Sequence, residues 1–184
     1  LRSACIKYFS LEPFFLQAGV KTGLNIKYRN PVDVGADRLA NAIAATHRFV
    51  GQNLIIIDFG TATTFCAINT KKAYLGEAIL PGVRLAVDAL SNNTAKLPAV
   101  DIVKVEQAIG RSTIESIQSG VFYGALGACR ELIQRIKNEA CAGEDVLVLA
   151  TGGFASLFDK HDLYDYHLPD LVLQGVRIAC EMNR

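Results

Sequence analysis

The sequence predicts an α/β protein whose mixed sheet is flanked by helices. Runs of aliphatic and β-branched residues at 53–58 and 145–150 are typical of buried strands, and segments with helical periodicity lie before and after them. Hairpin-like strands at 64–76 combined with helices favour a mixed sheet. With 184 residues, 51% of them hydrophobic and 20% charged, the chain is long enough to bury a sizeable core.

The first half of the chain is predicted to alternate between helices and strands. In order, we expect the end of a helix at 4–9, a short strand at 13–17, a loop-rich stretch at 19–31, a helix at 36–50, strands at 53–58, 64–69 and 73–76, and a helix at 83–91. The helix at 36–50 is predicted because Leu39, Ile43 and Val50 recur at helical spacing.

The second half opens with a loop at 92–108, where the sequence shows little periodicity. Ser112 is predicted to begin a long helix, since Glu115 follows it at the spacing of a capping box. The remaining elements are expected to be a strand at 145–150, a turn at 151–153, a short helix at 154–158 and a closing helix at 171–182.

Composition and charge exclude several classes of protein. Nineteen basic and eighteen acidic residues give a net charge of +1 without any basic run, so charge does not indicate a nucleic-acid partner. The apolar runs at 54–57 and 146–150 are far too short to span a membrane. The five cysteines lack zinc-ligand spacing and predict free thiols in a cytoplasmic protein. A catalytic Cys–His pair is the minor alternative, and no activating context is visible for it.

The segment at 54–64 is the most informative part of the sequence. A buried-type strand ends at Asp58, and Gly60 with the hydroxyls of Thr61, Thr63 and Thr64 follows directly. Backbone N–H groups, hydroxyl donors and a carboxylate at one turn can hold the phosphates of a nucleotide together with a cation. The same residues also fit an ordinary polar hairpin turn.

A second cluster lies at the start of the helix at 36–50, where Asp37 and Arg38 follow Gly35. Asp37 is suited to accept a hydroxyl proton, and Arg38 is suited to bind an anion or a carbonyl group. The alternative is structural, because Asp37 could simply cap the helix while Arg38 is solvated.

Two further clusters place glycines at turns. Gly82 follows Pro81 in the pattern of a type II turn, which by itself indicates no function. Gly152 and Gly153 follow the strand at 145–150, where they either allow a ring or a phosphate to approach the backbone or relieve a tight turn. Both interpretations fit the glycine pair equally well.

As an ordered set, these clusters resemble one family. Asn-Pro-x-x-x-Gly-Ala-Asp-Arg, a helix, Ile-Ile-Asp-Phe-Gly-Thr-Ala-Thr-Thr, Leu-Pro-Gly and Thr-Gly-Gly follow one another as in the type III pantothenate kinases, and the resemblance extends from Tyr8 to Asn183. It implies an α/β, actin-like ATPase fold (acetate and sugar kinase/Hsp70/actin, ribonuclease H-like). It also implies ATP-dependent phosphorylation of pantothenate to 4′-phosphopantothenate, the first step of coenzyme A biosynthesis.

The resemblance assigns roles at the substrate end of the site. Asp37 resembles the general base that takes the proton from the primary hydroxyl of pantothenate. Gly35, Ala36 and Arg38 would surround the substrate, and Tyr28 matches a tyrosine that contacts it. An unperturbed aspartate is ionised at neutral pH, so the residue type fits this role.

The resemblance also implies a nucleotide site, a cation and a partner subunit. Its ATP-binding residues are Gly60, Thr61, Thr63, Gly152 and Gly153. Asp58 matches the ligand of a monovalent cation, K⁺ or NH₄⁺, and Mg²⁺ would accompany ATP. Thr113 is similar to a threonine that reaches pantothenate in the neighbouring subunit, which implies a homodimer with shared sites.

The sequence departs from the family pattern in two places. Glu77 stands where the family usually has glycine, so its side chain either alters the pocket floor or points to solvent. The superfamily's N-terminal Asp-x-Gly-Asn-Thr loop is absent from the sequence. We therefore expect an incomplete first lobe at 1–49 and a second lobe at 50–184, with the last helix packing back on the first lobe, and the chain alone could lack activity. The alternatives are a non-catalytic transcriptional activator, as in the Bvg accessory factors, and a superfamily kinase for another alcohol.

Overall fold

The computed structural model describes residues 1–141 and 143–184, which form one six-stranded sheet with helices on both faces. The strands are β1 (Asn25–Ile26), β2 (Asn53–Phe59), β3 (Ala62–Ile68), β4 (Ala73–Pro81), β5 (Val146–Thr151) and β6 (Tyr166–His167). The α-helices are α1 (Arg2–Phe9), α2 (Ala36–Arg48), α3 (Val83–Asn93), α4 (Thr113–Cys141) and α5 (Leu171–Met182). Two 3₁₀ helices lie at Pro31–Asp33 and Ala155–Phe158.

The sheet is mixed, as predicted. Its strand order is β1-β4-β3-β2-β5-β6. The β2–β3 and β3–β4 pairs are antiparallel, whereas β1–β4, β2–β5 and β5–β6 are parallel. Because β2 and β5 are parallel neighbours, Asp58 pairs with Thr151, and both strands deliver their carboxyl ends to the same edge.

One face of the sheet packs against α2 and α5. Leu54 and Ile56 of β2 point to this face, where they join the alanines of α2 in a buried cluster. A Cβ atom on Gly175 of α5 would lie 1.8 Å from the carbonyl oxygen of Ala40, so the two helix backbones touch there. This close crossing fixes α2, and with it the first turn of the helix, above the sheet.

The opposite face is covered by α4 and the 3₁₀ helix Ala155–Phe158. Ile55, Ile57 and Phe59 alternate with the residues of the first face, and they pack with Phe122 and Phe158. The ring of Phe158 lies 5.0 Å from that of Phe59 and 5.4 Å from that of Phe122, measured between centroids. This face is a continuous apolar core.

The predicted beginning of the long helix is confirmed in detail. The backbone N–H of Glu115 donates to the hydroxyl of Ser112 at 3.2 Å, and the Glu115 carboxylate accepts from the backbone N–H of Arg111 at 2.6 Å. The first bond satisfies a donor of the first turn of α4, and the second satisfies the N–H of the residue that precedes Ser112.

Several predicted elements differ from the structure. No strand forms at 13–17, since this segment is irregular and its apolar side chains Phe14 and Leu16 pack against the α2 face. The predicted helix at 154–158 is a 3₁₀ helix of four residues. Strands β1 and β6 were missed, because two residues are too short to show alternation.

The third strand of the hairpin region is longer than predicted. The strand predicted at 73–76 continues to Pro81 as β4. The type II turn predicted at Pro81-Gly82 is also wrong, because Gly82 has φ −68° and is the N-cap residue of α3. The division into two lobes at residues 49 and 50 stays a prediction. Helix α5, which ends the chain, does pack on α2.

Candidate active site

The predicted site residues lie around the carboxyl ends of β2 and β5 and the first turn of α2. Asp58 is the last residue but one of β2, Thr151 ends β5, and Asp37 and Arg38 lie in the first turn of α2. In open α/β sheets, ligands bind in the crevice outside the carboxyl ends of the strands. The topology therefore brings together the loop at 58–61, the glycine pair after β5 and the start of α2.

Asp37 does not cap α2. The N-cap residue is Gly35, and no side chain makes a capping hydrogen bond there. The Asp37 side chain is 65% exposed, and its Oδ1 atom lies 4.0 Å from Nε of Arg38. A Cβ atom on Gly35 would lie 2.5 Å from Oδ1 of Asp37 and 2.8 Å from Nη2 of Arg38. Gly35 thus leaves the space that these two side chains need, and Ala36 begins the helix beside them.

Arg38 is held from below by Glu77, and it is not solvated. Its side chain is 16% exposed, and Nη1 forms an ion pair with Oε1 of Glu77. The hydroxyl of Tyr28 donates to the same carboxylate oxygen at 3.2 Å, and the hydroxyl of Tyr74 donates to Oε2 at 2.5 Å. The Glu77 carboxylate is the main cause that raises the pKa of Tyr28. The Glu77 side chain therefore does not point to solvent, and the structure supports the other expectation, that it alters the pocket floor.

Asp58 is half-buried beside α2. Burial raises the pKa of its carboxyl group, the nearby Asp37 carboxylate adds to this rise, and a hydrogen bond from Nδ2 of Asn41 at 3.0 Å opposes it. Among the described residues, two buried side-chain oxygens lack a hydrogen-bond partner, and they are Oδ1 of Asn41 and Oγ1 of Thr64. Thr64 faces Asp58 across the β2–β3 pair. Oxygen atoms of three side chains therefore gather at this point of the sheet.

The loop after Asp58 is a tight turn, and Gly82 and Gly152 pack closely against it. Gly60 donates to the carbonyl of Ala62 at 3.1 Å, and Gly82 donates to that of Thr61 at 3.0 Å. A Cβ on Gly82 would lie 2.3 Å from the carbonyl oxygen of Thr61, and one on Gly152 would lie 2.5 Å from Oδ1 of Asp58. Since Gly152 also has φ +89°, the tight-turn interpretation holds for that residue.

The other predicted residues differ in how open they are. Thr61 is exposed at the loop tip, and a Cβ on Gly153 would meet nothing within 4 Å, so both lie free for a ligand. Thr63 is 4% exposed and so is largely enclosed. Thr113 begins α4 and lines a groove of about 670 Å³ between α3, α4 and the end of β4. In the part of the chain that the structure describes, no hydrogen bond joins Thr113 to the Asp37 cluster.

A family model described as type III pantothenate kinase matches residues 1–135. The chain belongs to this family. The type III pantothenate kinase of Legionella pneumophila (strain Paris) is 75% identical over 183 residues, which span 100% of this chain and 72% of that protein. Type III pantothenate kinase 1 of Francisella tularensis subsp. holarctica is 48% identical over 184 residues, again 100% of this chain and 72% of that protein. The predicted family and its class of enzyme are confirmed.

A solved structure shares the fold of this type III pantothenate kinase family member. A Baf family protein from Campylobacter jejuni superimposes with a TM-score of 0.58 at 19% identity, covering 87% of this chain and 68% of that chain. The predicted α/β fold class, a mixed sheet flanked by helices, is confirmed. Within the described ranges, no helix combines the length and apolar character that a membrane crossing needs. The same residues contain no group of three or more His, Cys, Asp or Glu side chains arranged to hold a metal ion.

Sequence reasoning missed three residues of the site. Asn41 lies one helical turn after Asp37 on α2, and this spacing is the signal that could have linked it to the cluster. Thr64 was noted only as a hydroxyl in the motif, and its register opposite Asp58 emerges from the β2–β3 pairing. Tyr74 carried no signal, because its contact with Glu77 depends on an irregularity in β4.

Proposed function

We propose that this chain carries the substrate base and one phosphate loop of an enzyme that phosphorylates pantothenate with ATP. The observation that carries the proposal is the exposed carboxylate of Asp37 in the first turn of α2, beside Arg38 and close enough to influence Asp58. Family membership supports the same reaction. The product is 4′-phosphopantothenate, which feeds coenzyme A biosynthesis.

Asp37 is suited to serve as the general base. Its 4.0 Å contact with Arg38 leaves carboxylate oxygens free to accept a proton from a bound hydroxyl group. In the step that we propose, the substrate O–H bond breaks and the proton passes to Asp37. The oxygen bonds to the γ-phosphorus, and the bond from that phosphorus to the β–γ bridging oxygen breaks, so ADP leaves.

The phosphates of ATP are proposed to lie against the loop at Gly60 and Thr61 and against the glycine pair after β5. Thr61 is exposed at the tip of the first loop, and Gly153 leaves open space beside the second. Thr63 is 4% exposed, so we assign it to the inner side of the first loop rather than to its open surface. Mg²⁺ would be held by ATP oxygens and water, and it would neutralise phosphate charge.

A monovalent cation is proposed to bind at Asp58. The residues present fit such an ion, because Asp58 supplies a carboxylate while Asn41 and Thr64 each offer a buried oxygen without a partner. Potassium and ammonium ions both accept oxygen ligands of this kind. When bound, the cation would supply positive charge beside the phosphate loop.

A homodimer is proposed to complete the substrate site through Thr113. The groove that Thr113 lines is largely apolar, with residues of α3 and α4 on its walls. An apolar groove of this kind suits a protein partner better than water.

The five free cysteines fit a cytoplasmic location, where thiols stay reduced.

The decisive experiment uses the protein expressed from its complete gene. Purified protein is incubated with ATP, Mg²⁺, pantothenate and either K⁺ or Na⁺, and the phosphorylated product is identified by mass spectrometry. We expect 4′-phosphopantothenate, formed faster with K⁺. Phosphorylation of a different alcohol would overturn the pantothenate assignment, and failure to bind ATP at all would favour a non-catalytic regulator.

A further inference from the structure

Glu77 is a buried carboxylate whose hydrogen-bonding capacity is directed at the substrate end of the site. Its side chain is only 2% exposed. Oε1 pairs with Arg38 and accepts from Tyr28, and Oε2 accepts from Tyr74. A buried charge is tolerated only when it is paired and hydrogen-bonded, so these donors explain how Glu77 remains in the interior.

The sheet places Glu77 on this face through a bulge in β4. The register pairs Ile68 with Tyr74 but Ala67 with Gly76, so Leu75 is an extra residue on β4. Residues three apart in a regular strand point to opposite faces, but the extra residue brings Tyr74 and Glu77 to the same face. Both side chains consequently lie beneath the first turn of α2, where Arg38 descends to meet them.

The contact fixes one edge of the Arg38 guanidinium group. Nη1 is held by Glu77, whereas Nε faces Asp37 at 4.0 Å and Nη2 lies next to Gly35. An arginine that is anchored along one edge keeps its other donors in a constant direction, which reduces the entropy lost on ligand binding. The ring of Tyr28 is oriented by the same carboxylate and lies 6.5 Å from the ring of Tyr74.

We propose that Glu77 is a positioning residue that orients Arg38 and Tyr28 toward pantothenate without touching the substrate. The proposal rests on the proposed function, since it assigns Arg38 and Tyr28 to that substrate. It predicts that Glu77 acts on substrate binding through Arg38 and Tyr28, and that ATP binding is independent of Glu77.

The main test replaces Glu77 in the protein expressed from its complete gene. Glu77→Gln keeps the size of the side chain but removes its charge, and charge-assisted hydrogen bonds are the stronger class. We expect KM for pantothenate to rise about 10-fold to 100-fold, the factor that matches a hydrogen bond to a charged group. We expect kcat and KM for ATP to change less than about threefold. Glu131→Gln is the matched control, because Glu131 pairs with Arg135 on the exposed face of α4.

Two further variants keep the test decisive if the Gln variant is poorly folded. Glu77→Asp retains the charge on a shorter side chain, so it should recover part of the lost affinity for pantothenate. Tyr74→Phe removes the hydroxyl that donates to Oε2 and also contacts Sγ of Cys66, on the side away from Arg38, and should leave KM for pantothenate nearly unchanged. A KM for pantothenate as high in Glu77→Asp as in a folded Glu77→Gln variant, or a KM rise in Tyr74→Phe as large as in Glu77→Asp, would overturn the proposal.

A double-mutant cycle tests whether Glu77 acts through Arg38. In an Arg38→Ala background, Glu77→Gln should raise KM by a smaller factor than in the parent protein, because Tyr28 is then the only substrate-facing group that Glu77 still orients. Independent, additive effects would contradict a positioning role. A purely structural role would instead change the melting temperature of every variant without separating KM from kcat.

A readout that needs no activity separates this proposal from the proposed function. Because the Glu77 carboxylate raises the pKa of the Tyr28 phenol, Glu77→Gln should lower that pKa. Site-assigned NMR titration of tyrosine measures the change. A parent protein that does not phosphorylate pantothenate would refute the proposed function, whereas an unchanged Tyr28 pKa would refute the orienting contact itself.

Discussion

The two faces of the sheet have different chemistry, although the same strands supply both. Toward α4, the side chains of Ile55, Ile57 and Phe59 continue an apolar core to the very end of β2. Toward α2, the alternate residues of β2 are apolar at Leu54 and Ile56 and then change to a carboxylate at position 58. One face therefore mainly supplies stability, whereas the last position of β2 on the other face is polar.

Three neighbouring strands each carry a polar side chain on the α2 face. Asp58 on β2, Thr64 on β3 and Glu77 on β4 all point toward α2. Their partners on that helix are Asn41 and Arg38. The proposed substrate base, Asp37, is thus carried by a helix that packs on the sheet, so variants of the two faces should separate activity from stability.

The largest expected effect is on the α2 face. Asp37→Asn should lower kcat by about 10²-fold to 10⁴-fold, because the amide cannot accept the substrate proton. ATP binding and the melting temperature should stay close to those of the parent, since the side chain is 65% exposed and caps nothing. Steady-state kinetics and calorimetric ATP titration measure both quantities.

Asp170→Asn is the control for that variant, because Asp170 is likewise an aspartate at the N-terminus of a helix, in this case α5. It should retain the parent kcat. Near-normal turnover in Asp37→Asn would remove Asp37 from the role of base and leave the α2 face without its main functional carboxylate.

The α4 face should respond in the opposite way. Phe158→Ala should reduce the free energy of unfolding by about 3–5 kcal/mol, because it opens a cavity between the rings of Phe59 and Phe122. Chemical denaturation measures this loss. Phe9→Ala is the control, since Phe9 is 70% exposed on α1 and its loss should change stability by less than about 0.5 kcal/mol. A loss in Phe158→Ala no larger than in the control would mean that this face is not the stabilising core.

A glycine variant tests the packing at the carboxyl ends of β2 and β5, where side chains of both faces lie close together. Gly152→Ala should lower the free energy of unfolding by about 2 kcal/mol, since a left-handed residue with a Cβ is strained and this Cβ would also meet Asp58. It should raise KM for ATP as well, because the loop after Asp58 must shift. Gly153→Ala is the matched control for stability, because its Cβ would meet nothing within 4 Å. Equal melting temperatures for the two variants would contradict this account.

Much of the fold and part of the site could be predicted from the sequence. Strands β2 and β5 and helices α2 and α4 were predicted because their patterns are long and periodic. The burial of Glu77 could not be predicted, since it depends on the extra residue Leu75 and on pairing across β3. Likewise, the requirement for glycine at position 82 arises from contact with Thr61, which lies far away in the sequence. Local patterns reveal elements, whereas side-chain partners across strands depend on register.

The smallest expected effect concerns the charge that the α2 face keeps half-buried. Because burial raises the folded-state pKa of Asp58 above its ordinary value, the stabilising contribution of the protonated carboxyl is complete below the ordinary pKa and is lost as pH rises through the folded-state pKa. At neutral pH the ionised carboxylate therefore destabilises the ion-free protein. Asp58→Asn should melt slightly higher than the parent at pH 7 in the absence of K⁺, and this advantage should vanish below about pH 4.

Potassium gives the same variant a second readout. If K⁺ binds at Asp58, added KCl should raise the melting temperature of the parent more than that of Asp58→Asn, after correction with NaCl at equal ionic strength. Asp101→Asn is the control, because Asp101 is exposed in the loop before α4 and should show neither effect. The parent and Asp58→Asn could instead show the same pH profile of melting temperature and the same response to K⁺. That result would mean that burial does not raise the pKa of Asp58 and that the carboxylate is not a cation ligand. The polar end of the α2 face would then reduce to the Arg38 and Glu77 pair.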